Sequence, residues 1–268
     1  MDSTTEIYVA HALEAVVSAS SAIMEVYKQP FEKILKNDGS PVTQADLKSS
    51  GIIHNILKTT NLPITGEEVT KADYSIRKDW NLHWCVDPLD GTKEFIKKNG
   101  EFVVCIALIE QQQPVLGVIA SPVAEKILIG GKRLGGAYFI SFKEVADRKR
   151  WKKLPHLNTL NDPLVVVSSR SHYSGDSLSF LNKLKEQSPE IATAQMGSAL
   201  KFFDLAQGKA DVYPRFAPTM EWDIAAGQAI YEVLGGKVLN AVTRAPLVYN
   251  KENLKNPHFV IAKPGVVW

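Results

Sequence analysis

The stretch Trp84–Ile96, W-C-V-D-P-L-D-G-T-K-E-F-I, constrains this chain more than any other. Trp84-Cys85-Val86 is a short apolar run with strand character, and it delivers Asp87 to its end. Asp87 and Asp90 bracket Pro88-Leu89, and Gly91-Thr92 turn the chain into a predicted helix. Proline fixes φ, and glycine allows a backbone to approach a ligand closely. Carboxylates suit a hard cation such as Mg²⁺, and free N–H groups at a helix start suit a phosphate. The stretch therefore points to metal-assisted phosphate chemistry. It also demands partners, because one turn cannot surround an ion.

Three other segments offer acids. Thr43 with Asp46 opens a helix predicted to run to about Thr59. The local pattern favours an acidic capping box, with Asp46 as its third residue, over a side chain pointing into a cleft. Ile64-Thr65-Gly66 is a brief strand that ends in Glu67-Glu68; adjacent surface acids are ordinarily only solvated, but Asp87 and Asp90 follow a short way downstream. Glu221-Trp222-Asp223 stands at another helix start, where acids compensate the helix dipole. Asp223 is also the late partner that a cleft built from two parts of the chain requires.

At 268 residues, with 45% hydrophobic and 22% charged side chains, the chain fits one large globular domain or two smaller ones sharing a cleft. A net charge of +2 speaks against a nucleic-acid binder. The basic run Arg148–Lys153 is short and local, and reads as a solvated connector. Cys85 and Cys105 both lie in apolar, strand-like runs, which speaks against a disulfide framework and for a reducing, cytoplasmic compartment. Cys85 reads as packing, and no protein nucleophile is required. No signal peptide and no apolar run long enough to cross a bilayer are expected.

Periodicity predicts a first helix over Thr5–Tyr27, with His11 structural, then strands over Phe102–Ile109, Val115–Ala120, Lys126–Ile129 and Ala137–Ile140 as an antiparallel meander. Gly130-Gly131-Lys132 lacks the rest of a phosphate loop and reads as a hairpin turn. The second half alternates strand and helix: Leu164–Val167, Asp176–Glu186, Ala192–Gln195, Ser198–Gln207, Ala210–Tyr213 and Glu221–Leu234, closing on strands at Lys237-Val238 and His258–Ile261. This order predicts a mixed α/β (α+β) protein of two halves, residues 1–158 with the meander and most of the acids, and residues 159–268 with the layered α/β part.

Gly66-Glu67-Glu68, Asp87–Thr92 and Trp222–Gly227, in this order, resemble the three signatures of the inositol monophosphatase superfamily, and the resemblance extends over essentially the whole chain. It implies a layered αβαβα sandwich of the inositol monophosphatase and fructose-1,6-bisphosphatase type, Mg²⁺ as cofactor (two or three ions) and sensitivity to lithium. By position, Glu67, Asp87, Asp90 and Asp223 would be side-chain metal ligands and Leu89 a ligand through its carbonyl. Gly91 and Thr92 would hold the scissile phosphate, and Asp223 would also border the substrate. Asp46 would pair with the Thr92 hydroxyl to orient and deprotonate the attacking water, reversing the local preference for a mere cap; Asp46, Thr92, Glu67 and Asp87 then form the catalytic set.

Within the superfamily, Lys93-Glu94-Phe95, Ser169–His172, Gly197–Lys201 and Tyr213–Phe216 are similar to the 3'(2'),5'-bisphosphate nucleotidases of the bacterial CysQ type. The implied substrate is 3'-phosphoadenosine 5'-phosphate (PAP), cleaved to AMP and phosphate, with the sulfated nucleotide PAPS as a second candidate, in sulfur assimilation or nucleotide recycling. The second phosphate needs cations, and Arg170, Lys201 and Arg215 are the candidates, with His172 and Ser198 as neutral hydrogen-bond partners. An inositol or sugar phosphatase of the same superfamily is the nearest alternative, and a non-catalytic nucleotide-binding protein a more distant one. Oligomeric state is left open.

Overall fold

The first helix is started by Asp2, whose carboxylate accepts the Thr5 N–H at 2.7 Å and caps α1 (Ser3–Tyr27). The structure, a computed structural model, describes residues 2–31, 33–35, 41–168 and 175–268. After α1, β1 (Lys33–Leu35) and β2 (Pro41–Thr43) pair antiparallel and lead into α2 (Gln44–Leu57). Next come β3 (Ile64–Gly66), α3 (Tyr74–Arg77), β4 (Leu82–Asp90) and α4 (Thr92–Ile96). The meander follows as β5 (Val103–Glu110), β6 (Gln113–Ser121), β7 (Lys126–Gly131), β8 (Gly136–Ser141) and β9 (Lys152–Lys153). The second half runs β10 (Leu164–Ser168), α5 (Gly175–Gln187), β11 (Ile191–Gln195), α6 (Lys201–Ala206), β12 (Val212–Arg215), α7 (Glu221–Val233), β13 (Lys237–Asn240) and β14 (Phe259–Ala262).

Strands β3 to β9 form a seven-stranded sheet in sequence order, with β3 and β4 parallel and the remaining pairs antiparallel. The second sheet is mixed, in the order β11-β10-β12-β14-β13. Side chains alternate across each strand. Trp84, Val86, Val104, Ile106 and Leu108 pack under α1 and α2, while Cys85, Cys105, Ala107, Ile109 and Ile119 face the other way, towards α6 and α7. Val167, Tyr213, Val238 and Ile261 close that middle core from the second sheet. On the outer face, Val166, Val212 and Val260 meet Phe180 and Leu184 of α5. The layers are therefore α1/α2, seven-stranded sheet, α6/α7, five-stranded sheet and α5, the αβαβα sandwich expected from the resemblance.

α7 lies between two sheets, and its sequence suits that place: Trp222, Ile224, Ala225, Ala226, Ala229 and Ile230 are all buried, so the helix is apolar nearly all round. Its backbone comes so close to β6 that a Cβ on Gly117 would lie 2.1 Å from the Ala226 carbonyl oxygen.

Several boundaries differ from the sequence reading. The stretch Ser198–Gln207 is not one helix but a 3₁₀ turn, Ser198–Leu200, followed by α6. Ser198 has a φ of 50°, in the left-handed region. The basic run Arg148–Lys153, read as a solvated connector, is in part packed: Arg148 pairs with Glu6, Trp151 is buried, and β9 adds an edge strand to β8. Two residues are too few to carry a periodic signal. Lastly, α1 is by length and composition apolar enough to cross a bilayer, and half of its most apolar stretch is buried inside the fold. Its Ala, Val, Ile and Leu residues make it apolar on average, but His, Glu and Ser interrupt them, which is why the sequence reading expected no such segment.

Candidate active site

β4 does not stop at Val86 but continues through the Asp-Pro-Leu-Asp turn to Asp90. Pairing shifts on the way: Asp87 is opposite Cys105 and Asp90 opposite Val103, so one extra residue bulges from β4. The bulge is held at both ends. The Asp87 carboxylate accepts the Leu89 N–H at 3.0 Å, and the Pro88 carbonyl accepts the Ser49 hydroxyl of α2 at 2.6 Å. Gly91 then takes a φ of 102°, a conformation only glycine adopts cheaply, and a Cβ there would lie 2.9 Å from the Glu101 carbonyl oxygen. Phe95, buried against Tyr27, Phe31 and Phe102, anchors α4 behind the turn.

Asp46 does what both readings of it required. Its Oδ2 accepts the Thr43 N–H and the Thr43 hydroxyl, each at 2.7 Å, which closes a capping box on α2. Its Oδ1 accepts the Thr92 hydroxyl at 2.8 Å. Burial raises the Asp46 pKa, opposed by the bonds from Thr43 and Thr92.

Glu67, Asp87, Asp90 and Asp223 come together from β3, β4 and α7. Their mutual fields record it. Burial pushes Asp87 well above the ordinary carboxylate range, and Glu67, Asp90 and Asp223 add to the rise. Asp90 is raised by burial to about 6, against the pull of Lys201 and of the Ala199 N–H, which it accepts. Asp223 is raised to about 8, by burial first and then by Asp90 and Glu67, while the Met220 N–H and Arg215 act in the opposite direction. A cluster of like charges, buried at Asp87 and half-buried at Glu67, Asp90 and Asp223, is unstable unless it is protonated or neutralised by a cation. Every donor here is oxygen, which fits a hard divalent ion rather than a soft one. Among the described residues, no three His, Cys, Asp or Glu side chains already stand as ligands about one point. Asp87, Asp90 and Asp223 each spend an oxygen on a backbone N–H, of Leu89, Ala199 and Met220 respectively.

The cleft beside this cluster has a volume of about 290 Å³ and is walled by both halves: Asp90, Gly91, Lys93 and Glu94 on one side, Ser198, Lys201, Tyr213, Arg215 and Asp223 on the other. Arg215, at the end of β12, lies close enough to Asp223 to lower its pKa, and donates to the Pro218 carbonyl at 3.3 Å. Lys201 is buried, and its ammonium donates to the Met196 and Ser198 carbonyls and lies 5.1 Å from the centre of the Tyr213 ring. It thus holds the loop before α6 as well as lining the cleft. The Ser198 hydroxyl accepts the Leu200 N–H at 3.2 Å. Arg170 and His172 lie outside the described residues.

Sequence reasoning passed over Ser49, a buried serine on a helix with no motif around it, and Glu101, whose carboxylate accepts the Gly197 N–H at 2.8 Å and joins the α4 side of the cleft to the α6 side. Neither leaves a local signal, because both act across long sequence separations. Cys85 and Cys105 are fully buried free thiols whose pKa burial and the nearby carboxylates raise, in keeping with a packing role.

Comparison with known proteins agrees with this geometry. The chain is 40% identical over 252 residues to the 3'(2'),5'-bisphosphate nucleotidase CysQ of Salmonella typhimurium, covering 90% of this chain and 94% of that protein. It is 38% identical over 256 residues to the protein of the same name from Escherichia coli K12, covering 91% and 95%. Among solved structures, CysQ from Bacteroides thetaiotaomicron superposes with a TM-score of 0.84 at 39% identity, covering 96% of this chain and 97% of that one. The inositol monophosphatase of Anabaena shares the fold, with a TM-score of 0.71 at 21% identity over 97% and 92% of the two chains. The inositol monophosphatase family model matches residues 5–264. With its signatures gathered around one cleft and that match spanning nearly its whole length, the chain belongs to the inositol monophosphatase family, whose members are metal-dependent phosphatases.

Proposed function

We propose that the protein is a Mg²⁺-dependent 3'(2'),5'-bisphosphate nucleotidase that hydrolyses the 3'-phosphate of PAP to AMP and phosphate, and that it accepts PAPS as well. The observation that carries the reading is the Thr92–Asp46 hydrogen bond beside a cluster of carboxylates centred on the buried Asp87. Similarity to proteins named as bisphosphate nucleotidases over nine-tenths of the chain supports the substrate class.

Glu67, Asp87, Asp90, Asp223 and the Leu89 carbonyl would hold the metal, two or three ions in all. When bound, Mg²⁺ supplies charge neutralisation and lowers the pKa of water. The remaining work falls to the chain. Backbone N–H groups of Gly91 and Thr92 receive the scissile phosphate. The Thr92 hydroxyl donates to Asp46, so its lone pairs are free to accept a proton from water. As that water attacks phosphorus and the bond from phosphorus to the ribose O3' breaks, its proton passes to Thr92 Oγ1 and the Thr92 proton passes to Asp46 Oδ1, while the leaving O3' takes a proton from solvent water. The raised pKa of Asp46 suits it to receive that proton. Phosphoryl transfer asks chiefly for such positioning and charge neutralisation. Asp223 and Arg215 border the substrate, and Arg215, with Arg170, His172, Ser198 and Lys201, answers the second phosphate. Residues 1–158 and 159–268 are read as two halves that meet at this cleft, the first with most metal ligands and the second with the nucleotide-selective groups.

Phosphate release from PAP, PAPS, inositol 1-phosphate and fructose 1,6-bisphosphate under Mg²⁺ titration tests the proposal. A preference for PAP supports it, and a clear preference for inositol 1-phosphate overturns it in favour of the sister activity.

A further inference from the structure

Glu221 is the least accessible acid near the cleft, at 0% exposure, yet it faces away from it. It is the first residue of α7, two before Asp223, and two residues along a helix turn about 200°. Asp223 therefore looks into the cleft while Glu221 looks at the loop that precedes β14. Its carboxylate accepts the Asn250 N–H at 2.7 Å, the Lys251 N–H at 3.1 Å and the Lys251 ammonium. The same loop is gripped from its other side by Arg77, buried at the end of α3. Arg77 donates to the Asn250 side chain at 2.9 Å and to the Lys251 and Glu252 carbonyls at 3.1 and 3.2 Å, and the Asn250 amide donates back to the Arg77 carbonyl. Asn250 holds a left-handed φ of 59° within this grip.

Arg77 closes the segment that begins with Glu67. That segment is tied back on itself by Arg77 Nε on the Ala72 carbonyl and by the Lys71 ammonium on the Glu67 carbonyl, which also lies 4.9 Å from the centre of the Trp222 ring. A chain of polar contacts, buried at Arg77, Asn250 and Glu221 and exposed at Lys71, thus runs from the Glu67 segment, through Arg77 and residues 250–252, to the first turn of α7.

We infer that Glu221 is a positioning residue for the metal cluster: through the 250–252 loop and Arg77 it fixes the start of α7, and with it Asp223, relative to Glu67. Its own oxygens are occupied by the loop, so it is not itself a ligand. The inference rests on the metal-site reading above. Burying a charge merely to hold a loop is costly, and a pair that only stabilises is readily replaced by apolar packing. A fixed geometry between ligands from opposite ends of the chain is what such a network provides, as outer residues around metal sites do.

The test is calorimetric titration of Mg²⁺ into the metal-free protein without substrate, run beside PAP kinetics and thermal melts, for wild type, Glu221→Gln and Lys251→Met. Glu221→Gln is expected to weaken Mg²⁺ binding by roughly tenfold or more, and to raise the Mg²⁺ needed for half-maximal rate equally, while KM for PAP at saturating Mg²⁺ stays within about twofold. Lys251→Met leaves both backbone bonds to Glu221 and should shift Mg²⁺ binding in the same direction by about two- to threefold. It decides the matter if the glutamine variant does not fold. Mg²⁺ affinity unchanged in the folded variants, with only the melting temperature lowered, overturns the inference. Wild type that neither binds Mg²⁺ nor hydrolyses PAP overturns the functional reading instead.

Discussion

The Thr92 hydroxyl donates to Asp46 at 2.8 Å across 46 residues of sequence, joining the first turn of α4 to the capping box of α2. One carboxylate thus serves a helix cap with one oxygen and the cleft with the other. Thr92→Val keeps the side-chain shape and removes the hydroxyl, so kcat for PAP should fall by roughly 10²- to 10³-fold. Thr92→Ser keeps the donor and should stay within about tenfold of wild type. Equal kinetics for Thr92→Val and wild type would remove the proton relay from the mechanism.

Asp87 sits buried among Glu67, Asp90 and Asp223, each of which raises its pKa. Asp87→Asn deletes one of the repelling charges. Turnover should drop by at least about 10³-fold, from the lost ligand, while the metal-free protein melts no lower than wild type at pH 8. A variant that turns over normally would disprove the ligand assignment.

The raised carboxylates set a pH dependence. Asp90 is lifted to about 6 and Asp223 to about 8, so between the ordinary carboxylate range and pH 8 the folded chain holds protons that the unfolded chain has released. Stability from these groups is present at low pH and is lost as pH rises through the folded values. Metal-free protein should therefore melt progressively lower from about pH 5 to pH 8.5 as this contribution fades. Added Mg²⁺ should restore stability most at the alkaline end, where the carboxylates are ionised. Melting curves at several pH values, with Mg²⁺ and with chelator, check both slopes; a Mg²⁺ increment that shrinks with rising pH would contradict them.

Arg215 borders the cleft beside Asp223 without belonging to the carboxylate cluster. Arg215→Ala should raise KM for PAP by about tenfold, the loss of one charge-assisted phosphate contact. For a 3'-monophosphate, which lacks the second phosphate, the change should be under about threefold. Parallel losses on both substrates would move Arg215 from substrate recognition to the metal site.

Gly91→Ala tests the turn. The residue has a φ of 102°, and an added Cβ meets the Glu101 carbonyl oxygen at 2.9 Å and Ser198 Cβ at 3.1 Å. A loss of about 1–2 kcal/mol in stability and a larger proportional loss in activity are expected from denaturant melts and initial rates.

The parts of this design that were legible in the sequence are those written as short contiguous patterns. Asp87 to Thr92 announces a turn through its Pro and Gly, and apolar runs separated by turn residues announce the antiparallel meander of β5 to β8. Lys201 was legible as a cation at the cleft, but not as the clamp on the Met196 and Ser198 carbonyls, because a lysine's partners do not follow from its neighbours in sequence. The dual use of Asp46 was half legible: the cap is local, whereas the bond to Thr92 depends on how α2 and β4 pack. Ser49 and Glu101 were silent for the same reason.

The position of α7 between the two sheets has a consequence for how the chain matures. A ribosome releases β3, β4 and their acids before it releases α7 and the 250–252 loop. Until then the middle core lacks its central layer, and the contacts that complete it, α7 against β5 to β7, are long-range, a kind that forms more slowly than local contacts. The nascent protein therefore carries its acids as an unassembled, inert set. Asp223 joins Glu67, Asp87 and Asp90 only where α7 is seated between the sheets.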